Sequence, residues 1–420
     1  MEKLVIEGGR PLEGSVTISG AKNAALPILA ATLLTDQPVQ LRNVPDLRDI
    51  RTMLDLLRLL GSKVERSGDG VVVHSTDLSK VTAPYELVSK MRASICVLGP
   101  LLSGRGIARV SMPGGCAIGV RPIDLHIKGM RALGADVVLE KGYVVAQAQK
   151  LRGAEIYLGG PAGSSVTGTA NVLMASVLAE GRTVIENAAC EPEVTDLAGF
   201  LRAMGARIEG VGSHRLVVDG VDALTGCEYS IIPDRIEAGT FLVAAAITGG
   251  DVQVLRAVPE HMGAVIYKMR EIGVEVERTK DGLHVTAPRE FRSVDVTTLP
   301  FPGFPTDMQA QLTSLLTLAD GLSLVSEKIY PDRFMHVPEL GRMGASIRKE
   351  GAAALIKGVK YLSGAEVMAS DLRASAGLVT AGLAARGVTE VRRIYHMDRG
   401  YEKLEDKLAS LGARIERVAE

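Results

Sequence analysis

The sequence predicts a two-domain α/β protein built from six copies of one unit of about 70 residues. Three observations predict it. Six segments share one pattern: LLRLLGSKVE (56–65), GMRALGADVV (129–138), FLRAMGARIE (200–209), KMREIGVEVE (268–277), ELGRMGASIR (339–348) and KLASLGARIE (407–416). A small-residue apolar segment precedes each copy. Alternating stretches, of which KVERSGDGVVVH is one, follow the central glycine.

Each shared segment reads as the end of an amphipathic helix. The glycines at 61, 134, 205, 273, 344 and 412 stop it, because glycine takes the left-handed cap conformation without a Cβ penalty. An apolar/polar alternation broken by GDG then predicts strand, turn, strand.

The apolar segments are NAALPILAATLLT (23–35), ASICVLGPLLSG (93–104), ANVLMASVLAEG (170–181), GTFLVAAAITGG (239–250), QLTSLLTLADG (311–321) and AGLVTAGLAARG (376–387). They are apolar nearly all round, which predicts buried helices. Three units make a domain of ordinary size. The expected division is 22–232 for one domain and 1–21 plus 233–420 for the other, with KLVIEG and SVTISG as strands that complete the second.

The chain has 420 residues, is 46% hydrophobic and 23% charged, and carries a net charge of -1. That balance gives no reason to expect nucleic acid or an anionic membrane as partner. MEKLVIEGGR lacks the apolar core of a signal peptide, and no stretch reaches the ~18 apolar residues of a membrane span. Cys96, Cys116, Cys190 and Cys227 form no Cys-x-x-Cys pair, which fits a reducing cytoplasm and offers no zinc site.

Polar and charged residues gather just before the buried helices: Lys22 and Asn23, Arg92, Ser165, Asp234 and Arg235, Asp307, Asp371 and Arg373. Ser165 and Asp307, taken singly, are explained by capping. Lys22, Arg92, Arg235 and Arg373 are not, since a helix N-terminus disfavours cations. A bound anion would remove that conflict, so the residues point to phosphate or carboxylate recognition.

SMPGGCAIGVRPIDLH (111–126) concentrates glycine and proline and reads as a mobile loop at 111–122, of the sort that closes over a substrate. Cys96 and Cys190 read as inert small hydrophobes. Cys116, near Arg121, reads as a thiol whose acidity depends on the ions beside it. Pairing of Cys116 with His126 as a hydrolase dyad lacks a third orienting group.

The motifs SGAKNAALP (19–27), MRAS (91–94), PGGCAIGVRPIDLH (113–126), PDRIEAGTF (233–241), FPTDMQAQ (304–311), DRFMHVPEL (332–340), DLRASAGL (371–378) and YHMDRGYE (395–402) resemble those of the enolpyruvyl transferases along nearly the whole chain. The resemblance implies an inside-out α/β barrel made twice, three units in each domain. It implies transfer of the enolpyruvyl group of phosphoenolpyruvate to the 3-hydroxyl of UDP-N-acetylglucosamine, with release of phosphate. This is the first committed step of cytoplasmic peptidoglycan synthesis, on which cell-wall growth, cell shape and division depend. No metal or organic cofactor is implied.

Carried over by position, Lys22, Asn23, Arg121 and Arg399 would hold phosphoenolpyruvate. Asn23, Arg92, Arg121, Pro122, Ile123, Asp124, Leu125, Ser165, Val166, Asp307 and Ile329 would meet the UDP-sugar. Asp307 would serve as base and Cys116 as acid, with Lys22 and Arg399 in the catalytic set. Asp371, Arg373, Asp234 and Glu191 would support them. GGPAGSSVTGT has no lysine before Ser165 where the family often has one, and Thr-Gly replaces a common Gly-Ala after Val166. Arg48 stands where lysine is common. The alternatives are a shikimate-type enolpyruvyl transferase and a non-catalytic clamp. The glycine–cysteine loop and RPIDLH favour the nucleotide-sugar reaction.

Overall fold

A computed structural model describes residues 2–113, 123–161 and 163–420. The chain folds as a mixed α/β protein and divides into two compact units. We call them the central unit, 20–232, and the terminal unit, which combines both ends of the chain from 19 back and from 233 on.

Among the described residues there are six four-stranded sheets and one two-stranded ribbon. Every four-stranded sheet has the same plan. An edge strand runs parallel to the second strand, and two antiparallel strands follow. In the central unit, Glu228–Ser230 lies parallel to Val39–Arg42, which pairs with Gly70–Ser75 and then Ser62–Ser67. Thr82–Ala83 lies parallel to Ile107–Ser111 in the second sheet, and Glu155–Tyr157 to Arg182–Glu186 in the third. In the terminal unit the N-terminal strand Glu2–Glu7 pairs with Val388–Arg392 and Arg414–Ala419, while Glu13–Thr17 lies parallel to Asp251–Leu255.

The apolar segments form helices: Lys22–Ala31, Leu98–Arg105, Val166–Ser176, Arg235–Ile247, Gln309–Leu316 and Leu372–Ala384. Nearly every side chain in them is buried, because no face is polar enough to meet water. Two of the six begin as tighter 3-10 turns, Arg92–Val97 and Thr306–Met308. The amphipathic helices run between these cores and solvent. All six glycines that close the shared segments have φ between 90° and 106°. At that angle an L side chain would crowd the backbone, so glycine is required for the turn from helix into strand.

Buried helices with small residues pack close. Gly99 donates its N–H to Asn171 Oδ1 at 2.7 Å across the Leu98–Arg105 and Val166–Ser176 pair. A Cβ at position 99 would lie 2.3 Å from the Asn171 carbonyl oxygen. The terminal unit repeats the device, with a Cβ at Gly377 falling 2.9 Å from the Ala310 carbonyl oxygen. Where the chain leaves the terminal unit, Ser19 is anchored. Its N–H donates to Glu237 Oε2 at 2.7 Å, and Lys407 Nζ donates to its hydroxyl at 2.8 Å and to Glu237 Oε1 at 2.6 Å.

Gly99→Ala must separate two helices that share a fully packed core, which costs about 1–3 kcal/mol. Urea unfolding is expected to show a lower midpoint with the parental slope; a parental midpoint would mean that the helices have room to spare.

Candidate active site

In the terminal unit the candidate residue Asp307 is the centre of a charged cluster. It sits in the first turn of Thr306–Met308, with its side chain 24% exposed. Arg333 Nη1 donates to Asp307 Oδ1 at 2.8 Å, and Arg373 Nη2 donates to Asp307 Oδ2 at 3.0 Å. Each carboxylate oxygen therefore has its own guanidinium. Burial works against the Arg373 charge more than any single neighbour favours it, but Asp307, Tyr401 and Asp234 together outweigh burial and hold its pKa above the ordinary value. Arg333 behaves in the same way: burial opposes the charge, and Asp307 with Asp371 more than restores it. The Arg373 guanidinium also lies over the Tyr401 ring, 5.3 Å from its centre.

Asp371 and Asp234 are helix caps. Asp371 Oδ1 accepts from Arg373 N at 2.7 Å and Ala374 N at 3.1 Å; Asp234 Oδ1 accepts from Ile236 N at 2.8 Å and Glu237 N at 3.0 Å. Arg235 lies over the Phe301 ring at 5.9 Å. Arg399 closes the 3-10 turn Ile394–Arg399 and is half-buried. Ile329 is half-buried, and its N–H donates to the buried Glu327 carboxylate at 2.8 Å.

In the central unit Lys22 opens the first buried helix, with its ammonium 3.5 Å from Asp49 Oδ2. Both residues are buried. Asn23 is half-buried beside it. Arg92 opens the second helix and is near enough to His126 to disfavour a proton there. Ile123 is buried, Asp124 is exposed and Leu125 is half-buried, at the start of Asp124–Ala132. Ser165 caps Val166–Ser176, its hydroxyl accepting from Gly168 N at 3.1 Å. Glu191 is buried at the head of Pro192–Ala203. Cys116, Arg121 and Pro122 lie outside the described residues, as does most of the 111–122 loop.

Two expectations need correction. A bound anion is not required to explain every cation at a helix head, because the protein supplies carboxylates of its own. Arg373 has Asp307 and Lys22 has Asp49, both brought in from distant sequence. Capping does not account for Asp307 either, since two guanidinium groups hold its carboxylate. Sequence reasoning missed Asp49, Glu327 and Arg333 as members of these clusters. Arg333 lies inside the motif DRFMHVPEL, a signal that was available. Asp49 and Glu327 look like ordinary surface charges in the sequence, and only folding shows them buried.

His126 is unsuited to a hydrolase dyad. Asn171 Oδ1 accepts from Gly99 N, so its Nδ2 must donate, to Ile95 O and to His126 Nδ1 at 2.8 Å. The proton then resides on Nε2, which faces Thr167 Oγ1 at 3.3 Å. Burial, with the Arg92 charge adding to it, pushes the imidazole pKa down to about 4.

A family model described as EPSP synthase (3-phosphoshikimate 1-carboxyvinyltransferase) matches residues 6–408. The chain belongs to this family, the enolpyruvyl transferases. Within it, the chain is similar to curated proteins named UDP-N-acetylglucosamine 1-carboxyvinyltransferase. It is 58% identical to that of Nitratidesulfovibrio vulgaris strain Hildenborough, with all of both chains covered. It is 56% identical to that of Methylacidiphilum infernorum, covering 100% of this chain and 99% of the relative, and 56% identical to that of Myxococcus xanthus, covering 99% of each. The crystal structure of the enolpyruvyl transferase NikO from Streptomyces tendae superposes with a TM-score of 0.89 at 26% identity, covering 100% of this chain and 99% of that one. EPSP synthase from Acinetobacter baumannii shares the fold at a TM-score of 0.75 and 19% identity, with both chains fully covered.

The lowered His126 pKa has a testable sign. The neutral, buried imidazole contributes its full stability above its ordinary value of 6.5, and that contribution is lost as pH falls toward about 4. The stability advantage of the parent over His126→Gln should shrink between those values by up to about 1.4 kcal/mol per pH unit. A gap that stays flat in urea unfolding across that range would show that His126 protonates as freely as in the unfolded chain.

Proposed function

We infer that this chain transfers the enolpyruvyl group of phosphoenolpyruvate to the 3-hydroxyl of UDP-N-acetylglucosamine. The observation that carries this reading is identity of more than one half, over the whole chain, to relatives named for that reaction. The clamped Asp307 is consistent with it. The sugar hydroxyl gives up its proton and its oxygen bonds to C2 of phosphoenolpyruvate, while C3 gains a proton. In the second half C3 loses a proton, the C2–O bond to phosphate breaks, and the double bond returns.

Each step needs an acid and a base across one small space, which a well-placed pair supplies at about 10²- to 10⁴-fold apiece. We assign the base to Asp307, whose two oxygens are oriented by Arg333 and Arg373. We assign the acid at C3 to Cys116. Lys22, Asn23, Arg121 and Arg399 bind phosphoenolpyruvate, where cations must grip carboxylate and phosphate as C2 becomes electron-poor. Asn23, Arg92, the segment Arg121 to Leu125, Ser165, Val166, Asp307 and Ile329 bind the UDP-sugar. Ser165 can cap its helix and still donate its hydroxyl proton to a ligand. Asp371, Arg373, Asp234 and Glu191 support these groups from helix heads.

The two units are read as the two domains of the family, each an inside-out barrel of three repeats. The shared sheet plan and the six left-handed glycines support this reading. The reaction places the protein in the cytoplasm, at the entry to peptidoglycan synthesis. No helix among the described residues is long and apolar enough to cross a membrane.

The description of the family model favours a second reading, in which shikimate 3-phosphate is the acceptor. Phosphate release measured with phosphoenolpyruvate and each acceptor decides between them: release that depends on UDP-N-acetylglucosamine is expected, and release with shikimate 3-phosphate alone would reverse the assignment. Asp307→Asn should lower kcat by about 10²- to 10⁴-fold. An epoxide of the fosfomycin type should alkylate Cys116. Cys116→Asp, which keeps a proton donor and lacks the soft nucleophile, should turn over in part and resist the epoxide. Mass spectrometry that finds the adduct on another cysteine, or none, would refute the role of Cys116.

A further inference from the structure

Glu327 is fully buried and forms none of the ion pairs described above, an expensive position for a carboxylate. Hydrogen bonds compensate it. Its Oε1 accepts from Thr298 Oγ1 at 2.6 Å, from Ile329 N at 2.8 Å and from Tyr330 N at 2.9 Å. Its Oε2 accepts from Thr306 Oγ1 at 2.9 Å. Thr298 is fixed in turn, accepting from Lys328 N at 2.9 Å.

Thr306 carries the connection onward. Arg333 Nη1 lies 3.0 Å from Thr306 Oγ1 and 2.8 Å from Asp307 Oδ1. A guanidinium only donates, so Thr306 must accept from Arg333. Its own single proton is then committed to Glu327 Oε2. The direction of every bond from Glu327 to Asp307 is thereby fixed.

We propose that Glu327 is a positioning residue for the transfer reaction: through Thr306 it fixes the Arg333 guanidinium on Asp307, and through two backbone N–H groups it shapes the turn that presents Ile329. This rests on the reading of Asp307 as the base and of Ile329 as a sugar contact. One buried carboxyl group thus sets both the base and part of the acceptor surface. Such networks act as units, because each bond polarises the next in a low-dielectric interior.

The test is steady-state kinetics with phosphoenolpyruvate and UDP-N-acetylglucosamine on Thr306→Val, Thr306→Ser, Glu327→Gln and Asp307→Asn, normalised to folded enzyme. Thr306→Val should lower kcat roughly ten- to hundredfold, the range for losing a hydrogen bond to a charged group. KM for both substrates should stay within about twofold, because the Ile329 turn keeps its bonds. The acidic limb of its kcat profile should move to higher pH, since an anion with a loosened cationic grip takes up a proton more readily. Thr306→Ser keeps the hydroxyl and should restore kcat and the parental profile. Glu327→Gln should lower kcat and also raise KM for the UDP-sugar alone. Parental kcat and profile in Thr306→Val, or a Ser variant as impaired as the Val variant, would overturn the proposal. Should Asp307→Asn retain more than a tenth of parental kcat, the base assignment itself falls; an inactive Asn variant beside a parental Thr306→Val sinks the positioning role alone.

Discussion

The Arg373 guanidinium, 1% exposed at the head of a helix apolar on every side, is a buried charge whose nearest answering carboxylate is Asp307, 3.0 Å away. A helix N-terminus repels a cation, and burial removes the water that would otherwise offset it. The pair therefore constrains the rest of the terminal unit. Residue 307 must be delivered to the head of the 372–384 helix, which requires the Thr306–Met308 turn to begin there. Arg333 must come in from the segment after the 322–326 strand to occupy the second oxygen.

The heads of the buried helices solve a common problem in two ways. Ser165, Asp234 and Asp371 satisfy unpaired N–H groups directly, which is the ordinary use of such residues. Lys22 and Arg373 place positive charge where the backbone already has it, and each is answered by a carboxylate from distant sequence. A pair of this second kind is poor value for stability alone, because desolvation consumes most of the attraction. Under the proposed function its worth lies in a preorganised field: charges fixed before a substrate arrives need not reorient as charge develops. The proposed catalytic use and the high cost of the arrangement are two sides of the same fact.

The repeated glycines were legible because a left-handed turn admits few other residues, so position 61 and its five counterparts announce the helix ends without reference to the fold. The buried helices were legible because they lack a polar face. The mixed α/β class follows from those two signals. The clusters were less so. Lys22 and Arg373 stood out by violating a local electrostatic rule, but their partners did not. Asp49, near the start of an amphipathic helix, has the local pattern of an exposed first-turn acid and is buried only because the helix lies against Lys22. Glu327 follows an ordinary alternating strand, and nothing nearby in sequence marks it as the acceptor of four hydrogen bonds. Pairings across such separations depend on how the units close, which local patterns do not encode.

The thiols show why chemistry in this chain must be concentrated. Burial pushes Cys96 up to about 12, so almost none of it is thiolate at neutral pH. Burial also raises Cys190, and the negative charge of Glu191 adds to the effect, while its sulfur lies 3.4 Å from His214 Nδ1. Cys227, half-buried, is raised for the same first reason. A thiolate is the attacking form, and each of these environments disfavours it. Among the cysteines of this sequence, only position 116 has an arginine five residues on within a run of glycines. The proposed selectivity for Cys116 therefore has a simple basis: the fold disfavours the thiolate at each of the other three.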